Sequence, residues 1–286
     1  MKIWYSQYKL IPKNISKNIK YSNEGVLLKF ENEKYSLYHP IESLGDPSLK
    51  DFVKSLSEQT PLLDKIKKAS VGLKDFEALM DKQVKCYYSA PNLSDLIENK
   101  DKIINEGFES VKFKVSSVGE LEEMVEDLKN LPLTYVFDFN GRGEKKDFIE
   151  CSEKVKDFLK EKVLYVEDPL KEFVSLPYMR VASDFEDYGG EQDFTILKPT
   201  AFAHEQQSCS SRKSVVTSYL DHPLGQIMST KWALDNGVEN SCGLLSHTYY
   251  QANPYSEKIL SKGPFLELKS AQGLFELLEQ ELWQQV

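Results

Sequence analysis

Residues 111–138 read VKFKVSSVGELEEMVEDLKNLPLTYVFD. Val111, Phe113 and Val115 alternate with Lys112 and Lys114, the period of a strand that shows different chemistry on its two faces. Gly119 to Asn130 then places apolar residues at helical spacing, and Leu133 to Asp138 is again a β-rich run. Strand, amphipathic helix, strand is the order of a crossover unit, which lays its two strands parallel. The alternation continues in both directions, with candidate strands at 84–89, 163–167, 179–184, 194–198, 214–219 and 241–246. Helices are expected at Leu93 to Glu106, with Ser94 as a candidate N-cap, and at Lys145 to Lys162. With the two runs of the opening stretch these make eight strands, and an α/β fold of the (β/α)8 barrel type is expected. The intervals 184–198, which contains Tyr188-Gly189-Gly190, and 198–217 are short, so the helices there are expected to be reduced.

Residues 1–80 differ. Short alternating segments such as Val26-Leu27-Leu28-Lys29-Phe30 and Tyr35-Ser36-Leu37-Tyr38 precede a helical stretch from Ser48, the pattern of a small α+β unit. The barrel is then expected over 81–264. Ala271 to Leu282 is apolar at helical spacing, and the segment 265–286 is expected to pack back on the N-terminal unit.

The 286 residues carry 36 Lys and Arg against 45 Asp and Glu, a formal net charge of −9, with no long basic block. Nucleic acid is therefore not an expected partner. No apolar run reaches the ~18 residues of a membrane span, and Met1-Lys2-Ile3-Trp4-Tyr5 lacks the apolar core of a signal peptide, so a cytoplasmic protein is expected. Cys86, Cys151, Cys209 and Cys242 are far apart and form no CxxC pair, which argues for reduced thiols over a disulfide framework or zinc knuckle. His39, His204, His222 and His247 show no ligand spacing and are read as surface or pocket-wall residues.

Asp138, Glu167 and Asp184 each close a hydrophobic run. One such acid is ordinarily the first polar residue after a strand, but three at the ends of successive strands require a reason. In a barrel those ends form the active-site face, where adjacent strands bring the carboxylates together and a cation must offset their repulsion. Oxygen-only ligands favour a hard ion, Mg2+ first and Mn2+ as a substitute. By strand parity Lys112 and Lys114 point inward, and Lys198, ending Thr195-Ile196-Leu197-Lys198, would enter from the opposite side. Asp168 would face away from the metal by the same parity.

A KxK strand, acids ending the next three strands and a lysine ending the sixth together resemble the muconate-lactonising subgroup of the enolase superfamily. Asp138-Phe139-Asn140, Val166-Glu167-Asp168-Pro169, Leu197-Lys198-Pro199-Thr200 and Val216-Thr217-Ser218-Tyr219-Leu220-Asp221 are most similar to its o-succinylbenzoate synthase family. The resemblance implies a divalent-metal enzyme acting on a small carboxylate substrate by abstraction of its α-proton, with residues 1–80 capping the barrel mouth. It makes Asp138, Glu167 and Asp184 the metal ligands, Lys114 the general base, Lys198 its counterpart and Lys112 the residue that tunes Lys114. Asn140, Thr217, Ser218, Gly243 and Leu244 fall where that family contacts substrate. Two alternatives stay open, an N-acylamino acid racemase with the same two lysines and a barrel that binds metal and ligand without turnover. Ser241 to Ser246 lacks the DxD usual in dipeptide epimerases of the subgroup.

Overall fold

The computed structural model describes residues 2–13, 23–172, 175–184, 191–204 and 213–286, with Leu260 described by its backbone alone. Strands β1 (Ile3–Lys9), β2 (Glu24–Phe30) and β3 (Lys34–Tyr38) form an antiparallel meander. Val26, Leu27 and Leu28 are all buried, so both faces of the central strand are covered. Helix α1 (Leu49–Ser55) is capped by the Ser48 hydroxyl, and α2 (Pro61–Lys68) by Thr60 with Pro61 in its first turn. A short α3 (Leu73–Glu77) follows.

The expected strand 84–89 is two strands. β4 (Gln83–Lys85) belongs to a separate antiparallel sheet, while β5 (Tyr88–Ala90) enters the parallel one. The break falls at Cys86, whose N–H donates to the Pro264 carbonyl at 2.6 Å, whereas the next N–H, of Tyr87, donates to Cys242 at 3.0 Å. Then come α4 (Leu93–Asn105), β6 (Ser110–Lys114), α5 (Val118–Leu128) and β7 (Thr134–Asp138). The cap of α4 is Asn92, whose side chain accepts from Asp95 N–H, and not Ser94, which lies inside the first turn. The helix expected at 145–162 is also divided, into α6 (Lys145–Lys154) and α7 (Lys156–Lys162), because Val155 leaves helical geometry at φ −118°, ψ 25°.

β8 (Val163–Glu167), β9 (Val181–Ser183), β10 (Phe194–Leu197) and β11 (Ser214–Val216) complete a seven-stranded sheet of order β11-β10-β9-β8-β7-β6-β5, parallel throughout. The strand expected at 241–246 is reduced to bridges that reach both edges, Cys242 to Cys86 and Gly243 to Thr217. Gly243 N–H donates to Val216 at 2.8 Å and its carbonyl accepts from Ser218 at 3.0 Å. A side chain at Gly243 would collide with the Tyr87 hydroxyl. The helices expected between 184 and 198 and between 198 and 217 fall on residues 185–190 and 205–212, outside the described residues, as does Cys209; Cys86, Cys151 and Cys242 are buried free thiols.

One face of the parallel sheet packs Val111, Phe113, Tyr135 and Phe137 against α4 to α7, and the other buries a smaller cluster of Tyr87, Val136, Tyr165, Ala182, Ile196 and Val215. Helix α8 (Pro223–Asp235) lies between the seventh and eighth expected strands; its first half is buried on every side and it contacts β3 and β4. β12 (Ile259–Lys262) and β13 (Phe265–Leu268) join β4, α9 (Ala271–Glu279) packs on α3, and β14 (Gln284–Gln285) pairs with β1. No described helix is long and apolar enough to cross a membrane.

Asp221 lies buried at the start of α8 and accepts from the Thr200 hydroxyl; a side chain at Gly225 would collide with its carboxyl group. Burial pushes this carboxyl up to about 7, against the Thr200 hydrogen bond. The folded value exceeds the unfolded one near about 4, so the stabilisation from protonating Asp221 is complete below about pH 4 and is lost as pH rises through the folded value. Asp221→Asn is expected to flatten the pH dependence of the urea midpoint between these limits. Parallel curves for the two proteins would rule this source out.

Candidate active site

Lys114, Asp138 and Glu167 are register partners across β6, β7 and β8, so they form one rung at the C-terminal ends of three parallel strands. Alternation places Lys112 two residues deeper on the same face, while Val111, Phe113 and Val115 are buried against the helices. The Lys112 ammonium sits between two acids, 2.9 Å from Asp138 Oδ2 and 2.7 and 2.8 Å from the two oxygens of Glu167. Asp184, just beyond β9, is ion-paired with Lys198, just beyond β10.

Two left-handed residues shape the acids. Asn140 (φ 50°) turns back on Asp138, its Nδ2 donating at 2.6 Å and its backbone N–H at 3.2 Å to Oδ1. Asn140 therefore orients the carboxylate, although its side chain is also exposed. Asp168 (φ 41°) breaks strand parity immediately after Glu167, and its buried carboxylate accepts from the Asp184 N–H at 2.9 Å. Alternation ends where the strand ends, so it is this contact with the Asp184 N–H, and not strand parity, that sets where the Asp168 carboxylate lies. Its role as an anchor for Asp184 was missed, and the only sequence signal was Asp-Pro following Glu167.

Burial is the largest influence on these groups, and neighbours decide the outcome. For Lys112 burial works against the charged form, but Asp138 and Glu167 outweigh it and hold the ammonium well above its usual range. Asp138 is held low despite burial by Lys112 and Lys114. Glu167 is pushed up to about 8 by burial, with Asp138, Asp184 and Asp168 adding repulsion against Lys112. Asp168 is pushed up to about 7 by burial and Asp184. Glu167 and Asp168 are thus under-compensated by positive charge while Asp138 is not, and an all-oxygen donor set of this kind fits a hard divalent cation. Among the described residues no three acid, histidine or cysteine side chains are arranged to enclose an ion as they stand, and lysines are paired with Asp138, Glu167 and Asp184.

Thr217 is buried in line with Gly243, and its hydroxyl has no hydrogen-bond partner among the described residues. The Ser218 hydroxyl accepts from Leu220 N–H at 3.4 Å. Leu244 departs from expectation: fully buried in the apolar cluster with Val216 and Ile227, it faces the helices and not the mouth. Of the histidines read as surface or pocket-wall residues, His39 and His222 are not at the surface. Both are buried, and His222 Nδ1 accepts from Leu224 N–H at the start of α8, with burial pushing the ring down to about 3.

Lys112→Met would leave Asp138 and Glu167 buried without their shared cation, and a loss of roughly 3–5 kcal/mol in unfolding free energy is expected. Adding Glu167→Gln should recover part of it. Urea unfolding of both variants measures this, and an unchanged midpoint for Lys112→Met would contradict the charge balance described above.

No family model matches the chain. An o-succinylbenzoate synthase of Bdellovibrio bacteriovorus is 25% identical, in an alignment spanning 100% of this chain and 99% of that protein. Among solved structures, o-succinylbenzoate synthase from Thermosynechococcus elongatus BP-1, complexed with Mg in its active site, matches with a TM-score of 0.69 at 14% identity, covering 98% of this chain and 100% of the other. L-Ala-D/L-Glu epimerase from Bacillus subtilis matches with a TM-score of 0.70 at 12% identity, covering 94% and 96%. In fold the chain is similar to enzymes of the enolase superfamily, and in sequence it resembles an o-succinylbenzoate synthase along its whole length.

Proposed function

We propose that this chain is a divalent-metal-dependent o-succinylbenzoate synthase, dehydrating 2-succinyl-6-hydroxy-2,4-cyclohexadiene-1-carboxylate to 2-succinylbenzoate in menaquinone biosynthesis, in the cytoplasm. In this reading residues 81–264 form a (β/α)8-type barrel whose eighth position is the bridged pair Cys242 and Gly243. Residues 1–80, with 265–286 packed on them, cap its mouth. The observation that carries the reading is the rung of Lys114, Asp138 and Glu167, with Lys112 beneath it and the Lys198–Asp184 pair beyond. The whole-length resemblance to a synthase supports the choice of reaction.

Asp138, Glu167 and Asp184 would hold Mg2+ or Mn2+, with Asn140 and Asp168 fixing two of them from outside. The ion would supply Lewis acidity to the substrate carboxylate. Removal of the α-proton places a second negative charge on that carboxylate. Lys114 accepts the proton as a free amine, while Lys112 and Lys198 remain cationic and stabilise the charge. Hydroxide then leaves the neighbouring carbon and the ring becomes aromatic, so the proton taken and the hydroxide lost amount to one water. Lys114 is exposed as the side chains stand, and the mechanism requires bound substrate and the N-terminal unit to keep water from it. The strand-like contact of Ile11 to Lys13 with Tyr249 to Gln251 brings that unit to the loop after the eighth position.

Asp138→Asn, Glu167→Gln and Asp184→Asn are each expected to weaken Mg2+ binding at least about tenfold, the cost of losing even an outer partner, while the protein stays folded. Calorimetric titration with Mg2+ measures this, and unchanged affinity in all three would remove the ligand assignment.

Lys114→Arg keeps the charge but replaces the amine with a guanidinium that does not deprotonate. It should lower dehydration by about 10²–10⁴-fold, the usual contribution of a positioned base. Lys198→Arg should retain part of the activity, since its role is charge. In an N-acylamino acid racemase both variants would fail alike, each exchanging the α-proton with deuterium from one face only. Rates on the cyclohexadiene carboxylate and on N-succinylamino acids, together with deuterium exchange, separate the two enzymes. Wild-type dehydration by Lys114→Arg would end the assignment of the base.

A further inference from the structure

Asp46 belongs to the N-terminal unit, between the turn Glu42–Leu44 and α1, yet its side chain is only 2% exposed. Its Oδ2 accepts from the Ile41 N–H at 2.7 Å and from the Tyr219 hydroxyl at 2.9 Å. Its Oδ1 lies 3.1 Å from His204 Nε2, and that same nitrogen is 3.2 Å from the Tyr219 oxygen. One carboxylate thus joins a loop of the N-terminal unit to the loops that follow β10 and β11. Around it Ile41, Ala201 and Tyr219 form a small apolar cluster of their own.

The connection continues to the candidate site through the backbone. His204 N–H donates to the Ala201 carbonyl at 3.0 Å, and Ala201 N–H donates to the Lys198 carbonyl at 2.8 Å. Tyr219 follows Thr217 by two residues and lies close enough to Asp184 to feel its charge. A buried carboxylate is tolerated only where donors meet it; the Ile41 N–H and the Tyr219 hydroxyl both meet Oδ2, the second from outside the N-terminal unit, while Oδ1 lies beside His204 Nε2 without hydrogen-bond geometry. Seating that unit and fixing the turn that carries Lys198 are therefore one event.

We propose that Asp46 is a positioning residue for Lys198, acting through Tyr219, His204 and the turn at Ala201, so that the N-terminal unit sets the geometry of the site. The effect on turnover rests on the synthase reading above; the mechanical link does not. Asp46→Asn turns amide hydrogens toward donors, and Tyr219→Phe removes a single hydroxyl while keeping the ring that packs on Ile41 and Ala201.

The test uses the full-length protein and two readouts. By amide hydrogen exchange without substrate, both variants should exchange faster at Ala201, the far end of the link, and Asp46→Asn also at Ile41. Unchanged exchange at Ala201 in both variants would overturn the proposal whatever the reaction is. In turnover of the cyclohexadiene carboxylate, each variant should lower kcat by about tenfold to a hundredfold, the cost of a small displacement, with KM little altered. In a Lys198→Ala background the Asp46 and Tyr219 changes should cost nothing further. Losses that add fully to that of Lys198→Ala would overturn the positioning role. If the wild type does not turn over this substrate while Ala201 responds as expected, the synthase reading fails and the link stands.

Discussion

Everything at the candidate site depends on how one buried ammonium, that of Lys112, is shared between Asp138 and Glu167. Carboxylates at neighbouring strand ends repel one another, and burial strengthens the repulsion by removing water. A cation rising from the strand beside them answers it at a distance that no surface lysine could maintain. The arrangement follows from strand parity. With Val111, Phe113 and Val115 committed to the helical layer, the residues between them must enter the other face. Apolar packing on one side of β6 thereby fixes the electrostatics on the other.

The surrounding architecture holds that face in place from several parts of the chain. Helix α8 is buried almost all round in its first half, packing against β3 and β4 and sharing an apolar cluster with Leu197 and Val216, and it starts at the Asp221–Thr200 contact beside the loop from Lys198. The C-terminal segment returns to the first strand, with Tyr35 packed between Phe275 and Trp283 and Lys29 paired with Glu279. Two distant chain ends thus share one apolar cluster with the back of the sheet. The N-terminal strands are part of this core, so they and the sheet rest on one packed support.

The sequence made the middle of the fold legible because periodicity there is strong. Residues 111–138 and 163–167 fold as read, and Lys112, Asp138 and Glu167 meet, with Asp184 joined to Lys198. It was less informative where the backbone departs from period two. The first strand divides at Cys86 because its N–H pairs with Pro264 outside the parallel sheet, and the eighth shrinks to two bridges. Asp168 and Asn140 adopt left-handed geometry, so parity said nothing about where their side chains go. Leu244 was misplaced for a related reason: Gly243 takes the inward position, and the residue after it must face the helices. The Asp46, His204 and Tyr219 contact joins residues 173 positions apart and carries no local pattern at all.

The two lysines of β6 show how one strand can supply two kinds of group. Lys112 is held by two carboxylates and kept protonated well beyond its usual range, so its contribution to any reaction is charge. Lys198 is likewise engaged, by Asp184. Lys114, one rung higher, forms no ion pair among the described residues, although it lies near enough to Asp138 to favour its ionised form. A group must give up a proton before it can accept one, and an ammonium tied to carboxylates gives it up least readily. Among the described residues Lys114 is thus the one of the three lysines that forms no ion pair, and this difference is what supports its place as the base in the proposed reaction.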